Sequence, residues 1–244
     1  LREQYRLPVP TPEEARGIVV RPNPAFSPGA STYRPASFLL FYAGAAYTPR
    51  TRYVNGEHDG NGVVGAAFGN PARWLGVQAD LGLYSTVRRG FFDRMGLSLE
   101  VYRYLPGEVV LSLGWENIAT RGRPDTGESQ YGVLSRWFRL RPSDRWFNSV
   151  GVSAGVGNGR YVKEEDWLRN NTNALNGFGS MTLQVAWPLA LVADWQGDDL
   201  TLGAAFTPLK GVPLIITPAV YDVTGRVESG AQFMISAVVG VRVR

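Results

Sequence analysis

There is no cysteine in this chain of 244 residues, one histidine (His58), and only two lysines, Lys163 and Lys210, among 25 basic residues. The missing cysteine rules out a disulfide framework and a thiolate metal site. Arginine carries the rest of the positive charge, which nets to +4 and is scattered along the chain, whereas nucleic-acid binding needs one dense basic face. No stretch approaches the roughly 18 consecutive apolar residues of a membrane-spanning helix, so a helical membrane protein is excluded. The opening residues, Leu1-Arg2-Glu3-Gln4-Tyr5, lack the apolar core of a signal peptide, and for an exported protein the chain reads as a mature form.

Glycine, by contrast, is abundant, at 29 residues where an average chain holds about 7%. Together with aromatics at 12%, it suits many strands joined by tight turns. The clearest strand signal lies between Trp74 and Trp115. Leu75, Val77, Ala79, Leu81 and Leu83 alternate with Gly76, Gln78, Asp80 and Gly82. Met95, Leu97, Leu99 and Val101 alternate with Gly96, Ser98, Glu100 and Tyr102, and Val109, Leu111, Leu113 and Trp115 with Glu108, Ser112 and Glu116. A period of two is the period of a pleated strand. It recurs to give about twelve strands: Phe38–Thr48, Val63–Gly69, Trp74–Tyr84, Met95–Leu105, Glu108–Trp115, Tyr131–Leu140, Phe147–Asn158, Gly179–Trp187, Leu189–Gln196, Leu200–Phe206, Leu214–Tyr221 and Ala231–Val243. The first and sixth leave their register open.

Each strand has one apolar face and one wet face, and the wet face carries carboxylates. A soluble sandwich would turn the apolar face to a core, and a membrane barrel would turn it to lipid. A mean hydropathy of −0.12 does not decide, because a barrel strand shows lipid only every second residue. The connections do decide. Those after strands one, five, seven and eleven are long, those after the even strands are short, and the tight Gly197-Asp198-Asp199 turn after strand nine is the one exception. Short turns on one side and longer loops on the other are the rhythm of outer-membrane barrels. The expected fold is therefore all-β, an antiparallel transmembrane barrel over residues 38–244. Residues 1–37, with seven of the sixteen prolines, form an extended tail. Even strand number puts both termini and the tail in the periplasm. Trp115, Trp137, Trp187 and Trp195, near strand ends on the outward register, read as an aromatic girdle.

The expected lipid-facing residues are Leu75, Val77, Leu81, Leu83, Leu97, Leu99, Leu111, Leu113, Leu183, Val185, Ile235 and Val239. The expected lumen-lining residues are Gln78, Asp80, Glu100, Glu116, Arg136, Gln184, Asp194, Gln232 and Arg242, with Glu108 on the same register.

Other motifs carry less. Gly151-Val152-Ser153-Ala154-Gly155 has the G-x-S-x-G spacing of a hydrolase elbow, yet its flanks keep strand alternation and no histidine follows it. Glu57, Asp59 and Asn61 offer alternate oxygens but lack the closing bidentate Glu of a calcium loop. Gly197-Asp198-Asp199 reads as a hairpin turn. No cofactor, metal or enzyme activity is expected.

Several segments resemble a family of mostly uncharacterised cyanobacterial proteins thought to be envelope β-barrels. They are Thr51-Arg52-Tyr53, Phe68-Gly69-Asn70-Pro71 followed by Trp74-Leu75-Gly76-Val77, Trp115-Glu116-Asn117, Ala193-Asp194-Trp195 with Asp198-Asp199-Leu200-Thr201-Leu202-Gly203, and Ile215-Ile216-Thr217-Pro218-Ala219-Val220. The resemblance implies an outer-membrane location in a Gram-negative-type cell and hands over no functional residues. The final Val243-Arg244 departs from the terminal aromatic of better-known outer-membrane barrels. Two membrane functions follow: a porin-like channel for small solutes or ions, and a closed barrel that anchors envelope proteins or peptidoglycan through residues 1–37. A soluble barrel or sandwich that binds a ligand is the third reading.

Overall fold

The computed structural model describes residues 38–50, 57–122, 127–142, 145–209, 212, 214–225 and 230–243. The proline-rich segment 1–37 and the Thr51-Arg52-Tyr53 motif lie outside them. Twelve strands form one closed antiparallel barrel, as the alternation predicts. They are β1 (Phe38–Thr48), β2 (Asp59–Gly69), β3 (Gly76–Leu83), β4 (Met95–Leu105), β5 (Val109–Arg121), β6 (Ser129–Arg139), β7 (Ser149–Gly157), β8 (Asn176–Ala186), β9 (Leu189–Trp195), β10 (Leu200–Phe206), β11 (Leu214–Tyr221) and β12 (Gln232–Val243). Each strand pairs with its neighbours in sequence, and β1 meets β12 from Leu39↔Val243 to Tyr47↔Ile235. Closure removes the row of unpaired backbone groups that an open edge would present. Connections after odd strands gather at one rim. Those after even strands gather at the other, with Phe38 and Val243.

Two strands outrun their sequence signal by about a turn's length or more, and β6 and β8 by less. β2 begins at Asp59, where Asp59-Gly60-Asn61-Gly62 shows no hydrophobic alternation, because pairing with β1 from Thr48↔Asp59 onward carries it. β5 runs on to Arg121 through an irregularity opposite Ser98, where Asn117 takes φ +56 and its N–H donates to Ser98 Oγ at 3.1 Å. The interruption hides the second half of the strand from a period-two reading.

The register sorts side chains into two faces. Val64, Leu81 and Leu97 form one outward row, and Ala66, Ala79, Leu99 and Trp115 the next. Val77, Leu111, Leu113, Leu183, Ile235 and Val239 hold outward positions on their strands, and Leu75 is an exposed residue of the turn before β3. Among the described strand residues only three charged side chains take outward positions: Arg103, Arg121 and Arg136.

Five residues do not sit where the sequence reading puts them. Arg136 faces outward, opposite Val109, because β6 turns its other row, Tyr131, Val133, Ser135 and Trp137, inward. Trp137 is accordingly not a girdle residue; it is 9% exposed, with its ring over Gly151 of β7. Glu108 lies in the β4–β5 turn at φ +60 and pairs with Arg139 at 3.0 Å instead of lining the interior. Val185 sits at an irregularity between Gln184 and Ala186 and is only 7% exposed; Leu83, at the end of β3, is equally covered despite its outward register.

Candidate lumen and its loop-lined mouth

Two tyrosines span the inner wall in the same way. Tyr42 on β1 pairs with Gly65 on β2, and Gly65 pairs with Asp80 on β3. With no side chain at position 65, the end of the Tyr42 ring covers the glycine and its hydroxyl donates to Asp80 Oδ1. Tyr131 on β6 pairs with Gly114 on β5, and Gly114 with Glu100 on β4. Here the hydroxyl donates to Glu100 Oε2 at 2.8 Å. A Cβ at either glycine would fall within the overlying ring. Gln78 Nε2 donates to Asp80 Oδ2 at 2.7 Å and lies opposite Glu100 in the sheet, so one polar row continues from β1 to β6.

The arrangement recurs without the acid: Tyr102 lies over Gly76, Trp137 over Gly151 and Phe178 over Gly155, each a direct cross-strand pair. A ring that covers the neighbouring strand runs along the wall and does not reach across the interior. Large side chains are thereby stored in a barrel whose other inward residues are mostly Gly, Ala, Ser and Thr.

Gln78, Asp80, Glu100 and Glu116 thus come together on β3–β5. Asp194 is also inward, opposite Ser180 and Thr201, and is 0% exposed against 5% for Glu100. Gln184 is inward, but its Nε2 donates to the carbonyls of Ala186 and Leu189, both at 3.0 Å, which ties it to the β8–β9 turn. Gln232 is buried at the start of β12, opposite Tyr221. Arg242 pairs with Leu40, an inward register position.

The mouth at the loop rim is built by the β7–β8 connection. It forms a 3-10 turn over Gly159–Tyr161 and a short helix, α1 (Glu164–Leu168). Tyr161 stacks on Phe178 with ring centroids 4.2 Å apart and meets Tyr131 edge-on at 5.9 Å. Its neighbour Arg160 donates to Glu116 Oε1 at 3.3 Å and to Gln196 Oε1 at 3.0 Å. Burial opposes the Arg160 charge, and the Glu116 carboxylate and other nearby groups more than offset this, so the guanidinium is held above the ordinary arginine pKa. Burial likewise pushes the Tyr161 phenol up, leaving it neutral.

This loop also explains the one short connection at the loop rim. Asn176 Nδ2 donates to both Tyr161 O and Gly197 O, at 3.0 and 3.1 Å, and the Glu164 N–H donates to Asp198 Oδ2 at 3.1 Å. The Gly197-Asp198-Asp199 turn is low because the β7–β8 loop is tied down over it. Gly197 takes φ +99, and a Cβ there would strike the Tyr161 carbonyl. Gly197→Ala is therefore expected to unseat the loop and speed trypsin cleavage at Lys163 and Arg169 by roughly tenfold, from a left-handed penalty of about 1–2 kcal/mol. Unchanged cleavage would mean that the contact does not hold the loop.

Arg160, Tyr161, Tyr42 and Tyr131 are the site residues that sequence reasoning missed. Ser153 stands mid-strand in β7 and shares a hydrogen bond with Ser135 Oγ at 2.8 Å. Glu57 pairs with Arg88 at 3.0 Å, Asp59 Oδ1 accepts from Gly60 N–H and Asn61 Oδ1 from Ser85 N–H, so the three oxygens serve three separate partners. Among the described residues no three His, Cys, Asp or Glu side chains are placed to hold a metal ion. Compared with known proteins, the chain matches no family model and no curated sequence.

Proposed function

We propose that the protein is an outer-membrane β-barrel that works as a porin-like channel for small solutes or ions. One observation carries this reading: the wall is inverted relative to a water-soluble barrel. Its outward positions hold exposed Leu, Val, Ile and Ala, and its inward positions hold Asp80, Glu100, Glu116, Asp194 and a surround of Ser, Thr and Tyr. Soluble monomers rarely expose contiguous apolar patches beyond a few hundred Å2, whereas a bilayer accepts such a belt without loss. Outward aromatics near the strand ends support the same placement: Tyr47, Trp195 and Phe233 toward the loop rim, and Phe41, Phe68, Phe138 and Phe206 toward the turn rim. The resemblance to cyanobacterial envelope barrels agrees, and the turn rim, with Phe38 and Val243, then faces the periplasm. We read the interior as a passage and not as a catalytic site.

The wall-lying rings and the Arg160–Glu116 contact suit a narrow passage for ions and small polar solutes. A closed barrel that serves as an anchor is the second reading, favoured by the full burial of Asp194 and Tyr161. Refolding in detergent with heat-modifiable gel mobility tests the membrane barrel, and planar-bilayer conductance separates passage from plug. Arg160→Gln removes a cation at the mouth, worth about 1 kcal/mol at roughly 4 Å in a water-like dielectric. The expected result is an increase of about fivefold in cation over anion permeability, read from reversal potentials in a salt gradient. Unaltered selectivity would place Arg160 off the pathway.

A further inference from the structure

Two of the three outward-facing charged residues among the described strands stand close together. Arg103 on β4 pairs with Leu111, and Arg136 on β6 pairs with Val109, so the two arginines flank the turn end of β5. Two strand spacings across and two residues along put their backbones about 12 Å apart, within reach of one another's long side chains. Both are exposed, and neither makes an ion pair among the described residues. The Arg136 guanidinium lies over the Phe138 ring, 4.7 Å from its centroid. Glu108, in the turn between β4 and β5, is taken by Arg139. The adjoining turns repeat the composition, with Arg73-Trp74-Leu75 before β3 and Arg145-Trp146-Phe147 before β7, and Trp74 and Trp146 are among the most exposed aromatics. Of the turns on the opposite side, the one after β8 carries no charged residue and the one after β10 carries Lys210 alone, with no arginine in either sequence. The feature is one-sided, unlike a girdle.

An arginine on an apolar outer wall is tolerated only toward the interface, and the strand ends supply that depth. A guanidinium there meets headgroups, and its planar fork bonds a phosphate or sulfonate through two parallel N–H donors. We infer that the turn rim of β4–β6 docks the anionic headgroups of membrane lipids, with Arg103 and Arg136 as the binding pair and the neighbouring Trp side chains settling at the same depth. The occupant is a lipid because both arginines rise from the wall between leucines and valines, continuous with the surface proposed above to meet acyl chains. The inference rests on that membrane reading.

The test reconstitutes the full chain into vesicles of phosphatidylcholine alone and of phosphatidylcholine with phosphatidylglycerol. Heat-modifiable mobility and protease protection score insertion, and native mass spectrometry of gently extracted protein counts the lipids retained. Insertion in both compositions is expected, with the ratio of phosphatidylglycerol to phosphatidylcholine in the retained lipid raised about twenty-five-fold over that of the vesicle, about fivefold from each arginine compounded. The double variant Arg103→Gln/Arg136→Gln should insert equally well and lose the enrichment, while Arg121→Gln at the opposite rim should keep it. No insertion in either composition removes the membrane reading and this site with it. Insertion without lipid preference, enrichment that survives the double variant, or a dimer cross-linked through positions 103 and 136 removes the site alone.

Discussion

Leu81→Arg is expected to weaken insertion of the barrel by about 2 kcal/mol, the low end of the penalty for an arginine on the lipid face. Leu81 holds an outward position on a row between Val64 and Leu97, two residues from the loop-rim end of β3 at Leu83, so a long side chain there can lean part of the way to the rim. Its neighbour Asp80 looks the other way. Asp80→Asn keeps an oxygen for the Tyr42 hydroxyl and should fold as the parent does, changing ion preference alone. The pair is measured by titrating the heat-modifiable folded band against urea in lipid vesicles. Equal loss from both substitutions, or none from Leu81→Arg, would mean that the outer face does not meet hydrocarbon.

The second large effect is expected inside the wall. Gly114→Val would drive a branched side chain into the space of the Tyr131 ring. The ring must then swing off the wall, giving up its bond to Glu100 and its edge contacts with Tyr161 and Phe178. Overpacking of this kind costs about 1–3 kcal/mol, and a hydrogen bond to a charged group contributes about 1.5–3 kcal/mol, so a loss of about 3 kcal/mol is expected in the same urea titration. Tyr131→Ala should be costly alone yet should relieve the clash that Gly114→Val creates, so that the double variant is more stable than the sum of the two losses by at least about 1 kcal/mol. Strict additivity would show that ring and glycine do not compete for one space. The ring displaced by Gly114→Val would also project into the interior, and single-channel conductance should fall with it.

What could be read from the sequence depended on contrast between the two faces of a strand. In β3, β4 and β7 one row is aliphatic and the other is largely Gly, Ser or acid, so inward and outward rows separate on inspection. In β6 both rows contain large apolar residues, Tyr131, Val133 and Trp137 against Leu134 and Phe138, and the placement of Arg136 and Trp137 could be decided only by which row finds glycine across the sheet. Those glycines belong to other strands. Gly114, Gly151 and Gly155 look like ordinary small residues until the register sets them opposite Tyr131, Trp137 and Phe178, and register between strands is a property of the closed barrel. The mouth was hidden for a similar reason. Nothing local to Arg160 says that its loop folds down to Glu116 and Gln196, although the unusually short turn at Gly197, in a place where the rhythm calls for a long loop, was a trace of it.

The meeting of β1 with β12 has a consequence for how the molecule is made. All other strand pairs join neighbours along the chain and can zip as hairpins, but this seam needs the first strand and the last. Until β12 arrives, β1 is an open edge with a row of vacant backbone donors and acceptors beside Leu39 and Phe41, able to recruit a strand from any other molecule. A chain truncated before Gln232 therefore leaves two sticky borders in place of a cylinder, and its fate is aggregation, not a smaller pore.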